Sequence, residues 1–176
     1  MLEIILGIIV FISLILLIMT IFSNKFKLAV IKIQKAEEDI DIYLQKKKEL
    51  LDRTRPIVMK ELKLDEFITD LNIPLDNINN FESNDILKNC YNTLLKTIDD
   101  NDKLLKSEAL NTILDDLGEN EENIIGAIKF YNDTVVDFNR LIVSFPSNII
   151  ALLKKYKKKV FYNDEKKEMF EILNDK

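Results

Sequence analysis

Residues 4–24 read IILGIIVFISLILLIMTIFSN, twenty-one consecutive positions without a charge. Wound as an α-helix at 1.5 Å per residue, the run is about 31 Å long, close to the ~30 Å of a bilayer's hydrocarbon core. Ser13 and Thr20, the hydroxyl residues inside the apolar stretch before its polar end at Ser23-Asn24, can each bond a carbonyl one turn back, so neither opposes insertion. A core helix of a soluble protein shows polar residues along one face, and this run has no such face. A cleaved signal begins with a positive segment and ends at small residues. Here Met1-Leu2-Glu3 precedes the run, no A-x-A site follows it, and the single cysteine, Cys90, is far away. Residues 1–24 are therefore predicted to be a permanent single-pass transmembrane anchor. Lys25, Lys27, Lys32 and Lys35 follow the span, whereas Glu3 precedes it. The excess of lysine predicts a cell-membrane protein with its N-terminus outside and its remaining chain in the cytoplasm.

The residues after the anchor are enough for one domain, and their composition points to helix. Three glycines and three prolines in 176 residues leave few tight turns. Valine and threonine are sparse beside Leu, Ile, Lys, Glu, Asp and Asn. Histidine is absent and cysteine occurs once, which excludes an intrachain disulfide, a His/Cys zinc site and histidine-based acid–base or nucleophilic catalysis. Residues 61–153 carry 7 basic and 18 acidic side chains. That is the reverse of what a nucleic-acid-binding face requires.

Periodicity outlines the helices. Ile33, Ile40, Leu44, Leu51, Val58 and Leu62 form one stripe of a long first helix, which Pro56 is expected to kink or divide. Asn72, Ile73-Pro74, Asn77, Asn79 and Asn80 read as a loop. A second helix is predicted from about Ser83 to Asp99, capped by Ser83 or Asn84, with Leu87, Cys90, Leu94 and Ile98 inward. Cys90 on that stripe reads as a small core residue. Asp99-Asp100-Asn101-Asp102 lacks the glycine and glutamate that an EF-hand loop needs. Ser107 is placed to cap a third helix bearing Leu110, Ile113, Leu114 and Leu117, with Gly118 either ending it or carried through. Ile124, Ile128, Tyr131, Val135, Phe138 and Ile142 alternate steps of four and three, the seam of a packed bundle helix. Asn120 is the expected cap of that last long helix, with Glu121 and Glu122 in its first turn. Pro146 should stop it, and Ser147 should cap a short helix through Leu153. The tail from Tyr162 holds one apolar patch, Met169, Phe170, Ile172 and Leu173. The predicted fold is all-α: an N-terminal transmembrane helix (1–24), an antiparallel helical bundle (25–160) and a C-terminal tail (161–176).

Phe130-Tyr131-Asn132-Asp133, Val136, Asn139 and Phe145-Pro146-Ser147-Asn148, with Glu121, Ile124 and Ala127 upstream, resemble the C-terminal helix and turn of the LemA family. Ile40-Asp41, Leu44 and Lys46-Lys47 followed by Glu49-Leu50-Leu51 resemble its first-helix signature. The resemblance implies a bacterial membrane protein with an N-terminal anchor and an antiparallel bundle, and it implies no settled biochemical activity. The chain departs from the family pattern at Asp52-Arg53, where Pro-Asn is usual, and at Ile128, where an arginine is usual. It also lacks a Tyr-Pro step near Asp102-Lys103.

The candidate interaction or register residues are Tyr131, Asn132, Asn139, Lys46 and Lys47. Asn132 and Asn139 lie one heptad apart on one face, and asparagine is a poor helix former, so the pair needs a reason beyond propensity. Hydrogen bonds to the first helix near Asp41 or Lys47 would set register; a partner-binding face and plain solvent exposure are the alternatives. Lys154, Lys155, Lys157, Lys158 and Lys159 form a basic run, either in contact with anionic lipid or a solvated helix end. Carboxylate pairs such as Asp115-Asp116 and Glu121-Glu122 diverge by about 100° on a helix and do not converge on one site. The expected function is a non-catalytic, membrane-anchored scaffold or protein-interaction module. It would have no cofactor and no catalytic or metal residues, an unidentified protein partner, and a capacity to self-associate. A carboxylate-dependent metal enzyme or a lipid-surface binding protein is the alternative.

Overall fold

The computed structural model describes residues 1–72 and 79–162, all in helices and their connections. Among the described residues there are five α-helices: α1 (Leu2–Leu62), α2 (Asn80–Asp99), α3 (Asp102–Leu105), α4 (Glu108–Val143) and α5 (Ser147–Leu153), with a short 3₁₀ turn at Thr69–Asn72. Ile73, Pro74 and Asn77 of the expected loop, and the Met169–Leu173 patch, lie outside the described residues.

The apolar run is the first third of α1. None of the side chains in its most apolar stretch is buried in the protein, and its mean hydropathy reaches 3.2. Among the described residues α1 is the one helix that by itself is long and apolar enough to cross a membrane. Ser13 and Thr20 donate to the carbonyls of Ile9 and Leu16, each at 2.8 Å, so the hydroxyls are satisfied inside the helix.

Pro56 does not divide α1. A proline removes one i→i−4 bond and crowds one carbonyl. On both sides of it the buried stripe continues, with Leu51 and Thr54 before and Val58 after, so tertiary packing holds the turn together. The first cap expectation also fails. α2 begins three residues before Ser83, at Asn80; Asn79 is the cap, and its side chain accepts from the Glu82 N–H at 3.0 Å. Ser83 is buried within the helix instead. Ser107 does cap α4, accepting from Leu110 N–H at 3.4 Å. Gly118 is carried through, and what reads as two helices is one of 36 residues. Asn120 is therefore no cap; it lies buried mid-helix. Ser147 is not a cap either, because its hydroxyl donates back to the Ser144 carbonyl at 2.8 Å. The Phe145–Pro146 peptide is cis.

The chain divides into two compact units: residues 1–36 with 129–176, and residues 37–128. The first half of α4 belongs with the second half of α1, and the second half of α4 with the first half of α1, so the two long helices run antiparallel. In the 37–128 unit the core is built from Ile40, Leu44, Leu51 and Val58 of α1, Leu87, Cys90, Leu94 and Ile98 of α2, and Leu110, Ile113, Leu117 and Ile124 of α4. Arg55 ties the 3₁₀ turn to α1, donating to the Phe67 carbonyl at 3.0 Å and to Asn72 Oδ1 at 3.1 Å. Asp52, one of the departures from the family pattern, orients that arginine from one turn back, 3.3 Å away. In the other unit Phe26 of α1 meets Phe138 of α4 edge-on at 5.9 Å and stacks on Tyr156 at 4.8 Å.

Candidate functional site

Three groups of side chains stand out from ordinary packing. The first is the asparagine face of α4. Asn139 uses its whole carboxamide on one backbone residue: Nδ2 donates to the Lys159 carbonyl at 2.9 Å, and Oδ1 accepts from the Lys159 N–H at 2.8 Å. Asn132 Oδ1 accepts from the Tyr162 N–H at 2.7 Å, and the Tyr131 hydroxyl donates to the Val160 carbonyl at 3.0 Å. Residues 159–162 thus run back along α4, held by a ladder of side-chain bonds in place of a strand partner. Asn132 and Asn139 are 3 % and 1 % exposed. They do share a face, as their spacing requires. Their partners are the backbone of this extended segment, not Asp41 or Lys47 of the first helix. An extended segment carries no periodicity that would announce it.

The second group is a buried ion pair. Lys47 lies on the inward stripe of α1, 1 % exposed, and its Nζ donates to Glu121 Oε2 at 2.5 Å. The ammonium also sits 5.5 Å from the centre of the Tyr91 ring. Beside it the Asn120 amide donates to the Tyr43 carbonyl at 3.0 Å. Burial, and then the charge of Glu121, push the Tyr91 phenol up from its ordinary value. Burial, and then the charge of Asp70, push the Cys90 thiol up, so this thiol stays protonated and inert near neutrality. Lys46, next to Lys47, is exposed. Glu121 is missed by sequence reasoning, which places it in a helix's first turn. A lysine on a stripe of aliphatic residues was the available signal, because a buried cation needs a counter-charge.

The third is a groove of about 590 Å³ between α1 and α4 in the 1–36/129–176 unit. Phe22, Leu28, Phe130 and Phe145 supply its apolar walls; Lys25, Lys32, Asp133, Asp137 and Arg140 supply charge. Lys25 Nζ lies 5.1 Å from the Phe22 ring centre, and Arg140 pairs with Asp137 at 3.6 Å. The sequence marks Lys25 and Lys32 as charges after the span and Phe130, Asp133 and Phe145 within the family resemblance, but not that they meet, because the groove joins segments about a hundred positions apart. Of the basic run, Lys154, Lys155 and Lys157 follow α5 as exposed side chains, and Lys159 is the residue gripped by Asn139.

Glu121 is committed to Lys47, while Glu122 and Asp115 are exposed two turns, about 10.5 Å, apart along α4. Among the described residues no three Asp, Glu or Cys side chains gather at ligand spacing. The family model described as LemA family matches residues 36–172, most of the chain. No curated protein matches the sequence.

Proposed function

The chain belongs to the LemA family, and from that premise we propose that it is a non-catalytic, membrane-anchored interaction module of the bacterial cell membrane. One observation carries the reading. The apolar run and the first bundle helix are a single unbroken α-helix, and the first buried residue, Phe26, comes two positions after the last residue of the run, Asn24. The folded part therefore starts at the membrane surface with no linker between. The groove opens at that level, since Phe22 is one of its walls. Its occupant in this reading is a segment of another membrane protein emerging from the bilayer beside α1. Apolar walls and both signs of charge suit such a juxtamembrane segment. The lysines after the span support a cytoplasmic placement of the bundle, and the fold brings Lys154, Lys155 and Lys157 toward the same end.

Site-specific photocrosslinking in native membranes tests the proposal. A crosslinker at Arg140, in the groove, should capture a protein that has its own membrane span, whereas one at the exposed Glu82 should not. Equal capture at both positions, or none at Arg140, would refute it. A protease-accessibility assay on intact and opened cells tests the sidedness.

A further inference from the structure

Helix α5 turns apolar residues outward as well as inward. Ser147, Ile150 and Ala151 are buried, while Ile149, Leu152 and Leu153 are exposed, Leu152 to 80 %. Phe145, just before the helix, is 81 % exposed. Positions 149, 152 and 153 stand at i, i+3 and i+4, so they form one patch rather than a scatter. The short helix ends in a Schellman turn: Tyr156 N–H donates to the Ala151 carbonyl at 2.9 Å and Lys155 N–H to the Leu152 carbonyl at 3.1 Å. Lys155 occupies the left-handed position, φ 55°, where glycine is usual. Lys154, Lys155 and Lys157, all exposed, lie in and just after this turn.

The level of this element relative to the span is fixed at both ends. Phe145 shares the groove wall with Phe22, and Tyr156 stacks on Phe26 at 4.8 Å. Phe22 and Phe26 bracket Asn24, where the uncharged run stops, and are about 6 Å apart along the helix. The headgroup layer beyond each side of the hydrocarbon core is roughly 5–8 Å thick. α5 is also bent 90° from α4, which packs along α1 in this unit. It therefore lies across the direction of the span.

Resting on the reading of α1 as a membrane anchor, we infer that α5 and the lysines after it are an interfacial element. Ile149, Leu152 and Leu153 enter the acyl boundary of the bilayer that α1 crosses, and Lys154, Lys155 and Lys157 meet anionic headgroups. The arrangement gives the protein a second hold on the membrane that limits tilting and rotation of α1.

The chain has no tryptophan, so a single one introduced is an unambiguous reporter. The full-length chain is reconstituted in phosphatidylcholine vesicles with brominated acyl chains, with and without phosphatidylglycerol. Leu152→Trp should show blue-shifted emission quenched by bromine, as should Ile12→Trp inside the span; Ile125→Trp, exposed in the other unit, should show neither. Quenching of Ile12→Trp without quenching of Leu152→Trp overturns the interfacial element and leaves the anchor standing. Absence of quenching in both overturns the anchor, and the element with it. A blue shift at Leu152→Trp without bromine quenching means that protein, a second copy or a partner, covers the patch, and also overturns the proposal. Reversing Lys154, Lys155 and Lys157 to Glu should lower quenching at Leu152→Trp in the anionic vesicles; unchanged quenching there overturns the headgroup contact.

Discussion

Replacing Glu121 with Gln isolates Lys47, the one buried cation among the described residues of the 37–128 core. Lys47 is 1 % exposed and its carboxylate partner 30 %. The lysine stands between Leu44 and Leu51, both buried, so its ammonium cannot reach water without unpacking α1. Removing one partner of a fully buried pair costs about 3–5 kcal/mol. Two features lower that figure here. Glu121 keeps part of its hydration, which weakens the pair, and the Tyr91 ring still faces the ammonium from 5.5 Å, worth about 1 kcal/mol. The expected loss is about 2–3 kcal/mol, a fall of roughly 5–10 °C in the midpoint for a chain of this size. Glu122→Gln, one residue away and exposed, should stay within about 0.5 kcal/mol of the parent. Replacing both members, Lys47→Met with Glu121→Leu, should recover most of the loss, because no unpaired charge is left in the core. Thermal unfolding in detergent micelles, followed by far-ultraviolet circular dichroism, reads all four proteins. The reasoning is refuted if Glu121→Gln and Glu122→Gln unfold together, or if the double variant is no more stable than Glu121→Gln.

Four further outcomes are expected. Asn139→Ala removes both bonds to Lys159 and should cost about 2 kcal/mol; limited trypsin digestion should cut faster at Lys157–Lys159 than in the parent, and an unchanged rate would mean the segment is held by other contacts. Cys90 should resist thiol reagents in the native state and react on unfolding. Its folded pKa, like that of Tyr91, is raised, so the contribution of both groups is complete below their ordinary values of 9.0 and 10.0 and is lost as pH rises through the higher folded values. Unfolding midpoints should therefore decline in alkali, and Cys90→Ala should remove part of that slope. Lys155→Gly should stabilise the protein by about 0.5–1 kcal/mol by relieving the left-handed residue, read by the same thermal assay; a loss would show that the lysine side chain carries structural weight. Phe26→Ala, which empties the ring cluster with Phe138 and Tyr156, should cost about 3–5 kcal/mol.

The stripes of α1, α2 and α4 were legible because a helix repeats every 3.6 residues and only buried positions must be apolar. Ile33, Ile40, Leu44, Leu51 and Val58, and Leu87, Cys90, Leu94 and Ile98, are all buried where their spacing puts them. Helix ends were less legible. Gly118 followed by Asn120 and two glutamates has the local chemistry of a helix start, yet α4 passes through, because continuing the helix buries Asn120 with its amide on the Tyr43 carbonyl. Several asparagines before α2 have capping chemistry, and the backbone selected Asn79. The asparagine face of α4 was visible as an anomaly. The object it grips was not, since residues 159–162 are extended and aperiodic.

The linear order of residues by itself determined that the first two dozen positions form a helix long and apolar enough to cross a membrane, and with it the all-helical class and the inward face of each helix. Those properties depend on local composition and period, and each is settled within a few turns of chain. Only the tertiary structure decided which charge meets Lys47, what Asn132 and Asn139 hold, and that Phe145 and α5 come to rest beside Phe22 and Phe26. Those partners lie between about twenty and more than a hundred residues apart. Hydrogen bonds and ion pairs depend on distances of a few ångströms, which the fold sets only when the helices pack.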